Sequence, residues 1–126
     1  MLADDSALIR RLLKDTLTKA GFRNLRIFDD GQQALDYLTE LKAKKGENFR
    51  EDVQLLITDI EMPRMDGLTL TRKIKEDPIL QKLPVIVFSS LITDELRHKG
   101  ESVGANAQLS KPEVEGLVKT IDNLLS

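Results

Sequence analysis

Apolar residues recur along the chain in two alternating rhythms. Ile9, Leu12, Leu13, Leu17 and Ala20 have the spacing of a helix face, with Ser6 ahead of them as a capping side chain and Gly21 behind as a stop. Leu25 to Phe28 reads as a short strand, and Gly31 leads into a second helical stripe through Ala34, Leu35, Leu38 and Leu41. Val53 to Thr58 is almost unbroken in its apolarity, as expected of a parallel strand covered on both faces. Asp66 to Lys75 predicts a third helix, Val85 to Phe88 a fourth strand, and Thr93 to Val103 a fourth helix that Gly104 can end. Ala107 to Leu109 is a minimal last strand, and Leu117, Val118, Ile121, Leu124 and Leu125 stripe a last helix. Strands alternating with helices predict an α/β fold with a doubly wound parallel sheet, an architecture that places its sites at the carboxyl ends of strands.

Two stretches depart from the rhythm. Lys42 to Gln54 is polar enough to predict a long loop, with KAKKGEN at its start a solvated helix end. At the other end of the chain only Met1, Leu2 and Ala3 precede Asp4, whereas a central strand usually runs to about five or six residues. The expectation is a single domain over residues 1–126 that is an excerpt of a longer chain.

Composition narrows the chemistry. The 126 residues suffice for one domain with its own core. There is no Cys, which excludes disulfides, thiolate metal sites and cysteine nucleophiles, and the single His excludes a multi-histidine site. A net charge of −2 gives no field for nucleic acid. No apolar run nears the ~18 residues of a membrane span and no leader pattern is visible, so the expected location is cytoplasmic.

The strand ends hold the candidate chemistry. Asp4 and Asp5 follow the first strand, Asp59 the third, Ser89 the fourth and Lys111 the fifth. Brought to one edge of a parallel sheet, three carboxylates repel and raise one another's pKa unless a cation joins them. Mg²⁺, held by one or two carboxylates and several waters, suits hard oxygen donors of this kind. An aspartate beside such a cation and an ammonium can attack a phosphoryl group and form an acyl phosphate, with Ser89 offering a hydroxyl to a phosphoryl oxygen. Alternation along the third strand turns Thr58 away, and it receives no role.

DDS (Asp4 to Ser6), TDIEMPRMDG (Thr58 to Gly67), PVIVFSS (Pro84 to Ser90) and SKP (Ser110 to Pro112), in this order, resemble the receiver domain of two-component response regulators over essentially the whole chain. The resemblance implies a CheY-like, flavodoxin-like three-layer sandwich with five parallel strands in the order 2-1-3-4-5. It implies Asp59 as phosphoacceptor, Asp5 as a direct Mg²⁺ ligand, Asp4 acting mainly through water, and Glu61 lending its backbone carbonyl to the metal. Ser89 and Lys111 take the places of the family's hydroxyl residue and lysine, Gly67 that of the glycine that lets the next helix start tightly, and Lys111–Pro112 that of a peptide often cis. The implied partner is a histidine kinase, and the protein is not an enzyme beyond its own phosphoryl transfer and dephosphorylation. FSSLI, NAQLSKPE and the long segment before the third strand are most similar to the receivers of CheV-type chemotaxis proteins, with a CheW-like coupling domain in the same chain.

One position breaks the pattern. Receivers usually place Tyr or Phe three residues before the lysine, and here Gln108 stands there. Gln108 is therefore expected to stay near the surface, with the loop from Ser90 to Asp94 carrying the response to phosphorylation toward the fourth helix, fifth strand and fifth helix.

Plainer readings stand beside these. Asp4 and Asp5 can be a helix N-terminus that needs no metal. Ser89 and Ser90 can be polar strand ends, Lys111 a structural partner of Asp59, His98 a solvated surface residue, and Met62 and Met65 loop and packing residues. Three other functions stand as alternatives: a haloacid-dehalogenase-type phosphohydrolase, a receiver in another pathway, and an interaction domain without phosphoryl chemistry. The hydrolase requires a second Asp two residues after a nucleophile on the first strand, and this chain has Glu61 two residues after an Asp on the third.

Overall fold

The computed structural model describes residues 1–22, 24–90, 92–111 and 113–125. Among them strand and helix alternate throughout: β1 (Leu2–Ala3), α1 (Ala7–Lys19), β2 (Ile27–Phe28), α2 (Gly31–Lys45), β3 (Leu56–Thr58), α3 (Gly67–Glu76), β4 (Val85–Ser89), α4 (Asp94–Ser102), β5 (Ala107–Ser110) and α5 (Val114–Leu125). The strands form one parallel sheet in the order β2-β1-β3-β4-β5. This is the doubly wound fold that the alternation and the resemblance predict.

Local chemistry sets where the helices start. Ser6 Oγ accepts from the Ile9 N–H, and the carboxylates of Asp30 and Asp66 accept from the Gln33 and Thr69 N–H groups. Thr93 Oγ1 does the same for Leu96. Each of these caps satisfies a donor that a helix leaves unpaired in its first turn, at about 1 kcal/mol apiece.

Period-two alternation then divides the sheet between two cores. Leu56 and Val85 face one side, against Ala34 and Leu38 of α2 and Leu70 and Ile74 of α3. Ile57, Ile86 and Phe88 face the other, against Leu13 and Leu17 of α1 and Leu117 and Ile121 of α5. Being covered on both faces, β3 and β4 are buried along their whole length.

The polar stretch Lys42 to Gln54 corrects the sequence expectation. α2 runs on to Lys45, as a solvated KAKK end would have it, but Gly46–Glu51 then forms a 3₁₀ helix in place of an open loop. Phe49, 0% exposed, anchors it in the α2–α3 core. A single aromatic in a charged run leaves no period to read. Two strands also come out shorter than their apolar runs: β2 begins at Ile27, and β3 at Leu56 although Val53 and Leu55 are buried too, whereas β4 and β5 each run one residue further, to Ser89 and Ser110. Leu12 and Leu125, placed on apolar stripes from the sequence, lie at the surface, 37% and 38% exposed.

Candidate functional site

β1 and β3 are neighbours, as are β3 and β4 and β4 and β5, so their carboxyl ends form one edge. The register fixes which residues meet there. Ala3 pairs with Thr58, which sets Asp4 beside Asp59, and Ser89 pairs with Ser110, which sets Lys111 just beyond the end of β4. The Asp59 N–H donates to the Ala3 carbonyl at 2.8 Å and the Lys111 N–H to the Ser89 carbonyl at 2.8 Å, extending the ladders by one bond each.

Lys111 joins the acids. Its Nζ lies 2.7 Å from Asp4 Oδ2 and 3.2 Å from Asp59 Oδ2, with all three side chains largely withdrawn from solvent. The remaining Asp4 oxygen, Oδ1, accepts from the Ser6 N–H at 2.8 Å, and Asp59 Oδ1 accepts from the Ile60 N–H at 2.7 Å. Asp5 is exposed, yet Asp4, Asp5 and Asp59 each offer a carboxylate oxygen within 4.8 Å of the others'. Asp5, Ser6, Ile9, Asp59, Glu61, Ser90 and Lys111 line a cleft of about 500 Å³ over this cluster.

The charges are unbalanced. Burial raises the Asp59 carboxyl above its ordinary value, the Asp4 charge pushes it further, and Lys111 and the Ile60 N–H only partly offset them. Burial alone would lower the Lys111 ammonium, but its hydrogen bond to Asp4 and the charges of Asp4 and Asp59 outweigh that, and it is raised. A donor set of carboxylate oxygens with an exposed member open to water fits a small hard cation, and a divalent one redresses the excess of negative charge.

Backbone packing holds Asp59 in place. A Cβ on Gly67 would stand 1.7 Å from the Asp59 carbonyl oxygen, so glycine lets α3 begin this close to it, and the Gly67 N–H donates to the Ile60 carbonyl at 2.7 Å. Thr58, given no role from its position, donates Oγ1 to the Asp59 carbonyl at 2.9 Å from a fully buried site. Sequence alone offered no signal for that bond. Asp30 and Arg64 form an ion pair that no sequence pattern announces.

Not every candidate meets the cleft. Ser89 is 5% exposed and not on its lining, and Ser90 is the serine on its wall. Gln108, expected near the surface, is only half-buried as a residue, but its amide is clipped beneath α4. Nε2 donates to the Arg97 carbonyl at 2.9 Å, and Oε1 is buried without a hydrogen-bond partner. Gly100 makes the room, since a Cβ there would meet Oε1 at 2.3 Å. His98 is exposed, Met65 is buried and Met62 packs on the α2–α3 core. The Lys111–Pro112 peptide and part of the Ser90–Asp94 loop lie outside the described residues.

The profile of the response regulator receiver domain family matches residues 1–122. The chain is 34% identical over 125 residues to a chemotaxis protein, CheV3, of Helicobacter pylori, covering 99% of this chain and 40% of that protein. It is 37% identical over 126 residues to a gliding motility regulatory protein of Myxococcus xanthus, covering 98% of this chain and 15% of that protein. It thus spans less than half the length of either. Among solved structures, the receiver domain of the histidine kinase CKI1 from Arabidopsis thaliana, complexed with Mg²⁺ and BeF₃⁻, superposes with a TM-score of 0.82 at 25% identity, over 98% of this chain and 86% of that one.

Proposed function

The chain belongs to the response regulator receiver domain family, and we propose that Asp59 is its phosphoacceptor, charged by the phosphohistidine of a histidine kinase. One observation carries the reading: the buried Lys111 ammonium spans Asp4 and Asp59 at the mouth of a cleft whose three carboxylates converge. In the transfer an Asp59 oxygen attacks phosphorus, and the phosphorus–nitrogen bond to the donor imidazole breaks with its electron pair going to nitrogen. An acyl phosphate forms. Lys111, already 3.2 Å from Asp59 Oδ2, places positive charge where the phosphoryl oxygens arrive. The Ile60 N–H and the packed Gly67 keep the carboxylate from turning away. Mg²⁺, when held by Asp5, Asp59 and the Glu61 carbonyl with Asp4 acting through water, supplies further charge to those oxygens. Ser89, buried and off the cleft wall, turns toward Asp59 to donate its hydroxyl to the new phosphoryl group.

The module acts as a phosphoacceptor and catalyses only its own phosphoryl transfer and dephosphorylation. The likeness along nearly the whole chain to a chemotaxis protein supports a place in CheV-type chemotaxis signalling, beside a coupling domain in the same polypeptide and in the cytoplasm. No helix among the described residues is long and apolar enough to cross a membrane. A hydrolase of the dehalogenase type has no support here, because Asp59 ends β3 and not β1.

Intact-mass measurement after treatment with acetyl phosphate and MgCl₂ tests the reading. The expected result is one added phosphoryl group on the parent and none on Asp59→Asn. Phosphorylation of Asp59→Asn, for instance at His98, refutes it.

A further inference from the structure

Three features of the turn between β3 and α3 converge on Arg64. Its φ is +63°, which no other described residue except glycine approaches. The Met65 N–H donates across it to the Pro63 carbonyl at 2.7 Å, the i→i+2 bond of a γ-turn with positive φ, which is rare and strained for a side chain with a Cβ. Strain of this kind persists only where the surroundings over-determine it.

The surroundings here belong to α2. Arg64 Nη2 lies 2.8 Å from Asp30 Oδ2, and while the arginine side chain is 63% exposed the aspartate is 4% exposed. The other Asp30 oxygen caps α2 through the Gln33 N–H at 2.8 Å, so the anchor is itself rigidly held. Beside the pair, a Cβ on Gly31 would stand 2.3 Å from the Met65 carbonyl oxygen, so that the turn rests directly on the first residue of the helix. What is pinned in this way starts at Asp59, carries Glu61 on the cleft wall and closes with the Gly67 N–H on the Ile60 carbonyl.

We infer that Arg64 is a positioning residue for the cation site: its ion pair with buried Asp30 holds the strained turn in the conformation that presents the Glu61 backbone to a cation shared with Asp5 and Asp59. The inference rests on the Mg²⁺ reading above. Two simpler roles make opposite predictions. If Arg64 acted only by its charge, removing it would tighten cation binding, because like charges repel. If it served only to adopt a positive φ, glycine would do so at least as well.

The test is isothermal titration with MgCl₂, in metal-stripped buffer, of the parent, Arg64→Gly, Arg64→Lys, Asp30→Asn and the double variant Arg64→Gly/Asp30→Asn. Asn keeps an oxygen for capping Gln33, so the fold survives the loss of charge. Partners of metal ligands usually change affinity 10- to 100-fold, and one link further out about three- to tenfold is expected for Arg64→Gly and for Asp30→Asn. Arg64→Lys should fall between Arg64→Gly and the parent, and the double variant should bind no more weakly than the weaker single, since both remove one interaction. Amide exchange should quicken at Met65 and Gly67 in both single variants. Arg64→Gly binding Mg²⁺ as tightly as a Mg²⁺-binding parent, or additive losses in the double variant, overturns the inference and leaves the Mg²⁺ reading standing. A parent that binds no Mg²⁺ overturns both.

Discussion

Gly67→Ala is the sharpest probe of how the phosphoacceptor strand is held. The new Cβ falls 1.7 Å from the Asp59 carbonyl oxygen, 2.8 Å from its carbon and 3.0 Å from Thr58 Oγ1. Non-bonded carbon pairs sit best near ~3.5 Å and carbon–oxygen pairs a little closer, so roughly 1.5 Å of separation has to be found. It must come from backbone, because the obstructing atoms are a carbonyl group that no rotamer change can move. Forcing one methyl into such a contact costs about 1–3 kcal/mol. Shifting α3 away also weakens the 2.7 Å bond from Gly67 to Ile60, worth about 0.5–1.5 kcal/mol. The better helix propensity of Ala returns at most about 1 kcal/mol. The net loss is about 0.5–4.5 kcal/mol, toward the upper end because the clash is with backbone, and within the ~5–15 kcal/mol of a typical domain, so the variant stays folded. Urea unfolding should show a lower midpoint at an unchanged slope. Gly21→Ala is the control: φ is +100° but nothing lies within 4 Å, and only the backbone penalty of about 1–2 kcal/mol applies. Phosphorylation of Gly67→Ala by acetyl phosphate should slow as well, since the shift starts at Asp59. A Gly67→Ala midpoint equal to the parent's, or above that of Gly21→Ala, refutes the reasoning.

Isothermal titration of Asp5→Ala with MgCl₂ should show binding largely lost. In metal-free buffer Asp59→Asn should unfold at a higher urea concentration than the parent at about pH 7. With its native pKa raised above 3.8, Asp59 contributes stability below that value and loses it as pH rises through the native pKa, so the difference should vanish in acid. Gln108→Leu should raise stability by about 1 kcal/mol, because an unpaired buried acceptor costs about 1–3 kcal/mol and the bond to Arg97 returns only about 0.5–1.5 kcal/mol. With a beryllofluoride mimic on Asp59, amide-exchange changes should centre on the Ser90–Asp94 loop, and changes confined to Gln108 would refute that route.

The element order and the converging strand ends were legible because they rest on patterns that survive without tertiary information. Helix starts at Ser6 and Asp66 announce themselves through side chains that cap, and parallel alternation alone brings Asp4, Asp59 and Lys111 to one edge. The missed features each depend on a single contact between different elements. Phe49 folds a charged run into a 3₁₀ helix by filling one hole in the α2–α3 core. Gln108 is clipped because Gly100, eight positions earlier on another element, lacks a side chain. Arg64 is left-handed because Asp30 waits for it. No periodicity or capping pattern links the two halves of any of these.

Departures from local rules gather along the carboxyl edge of the sheet and the helix that leads away from it. Asp59 carries a charge that its burial opposes, Arg64 holds a strained turn, and Gln108 Oε1 has no donor. Comparable conflicts elsewhere include the unpaired Arg50 Nε of the 3₁₀ helix and the Lys75 ammonium, which burial pushes down. Conflicts of this kind run to about 1–3 kcal/mol each, and a fold keeps them only where the rest of the structure outweighs them. Here the two cores beneath the edge are packed with fully buried Leu, Ile and Phe, so the edge can remain tense without unfolding. If Asp59 is the phosphoacceptor proposed above, a phosphoryl group and its cation would act on the first of these conflicts directly, replacing an opposed charge with a paired one. The others lie within one loop or one helix of it, where a change in the first can tip their balance. On this view the signal is a release of local tension at Asp59, read out through α4, whose hold on β5 includes a single half-satisfied amide.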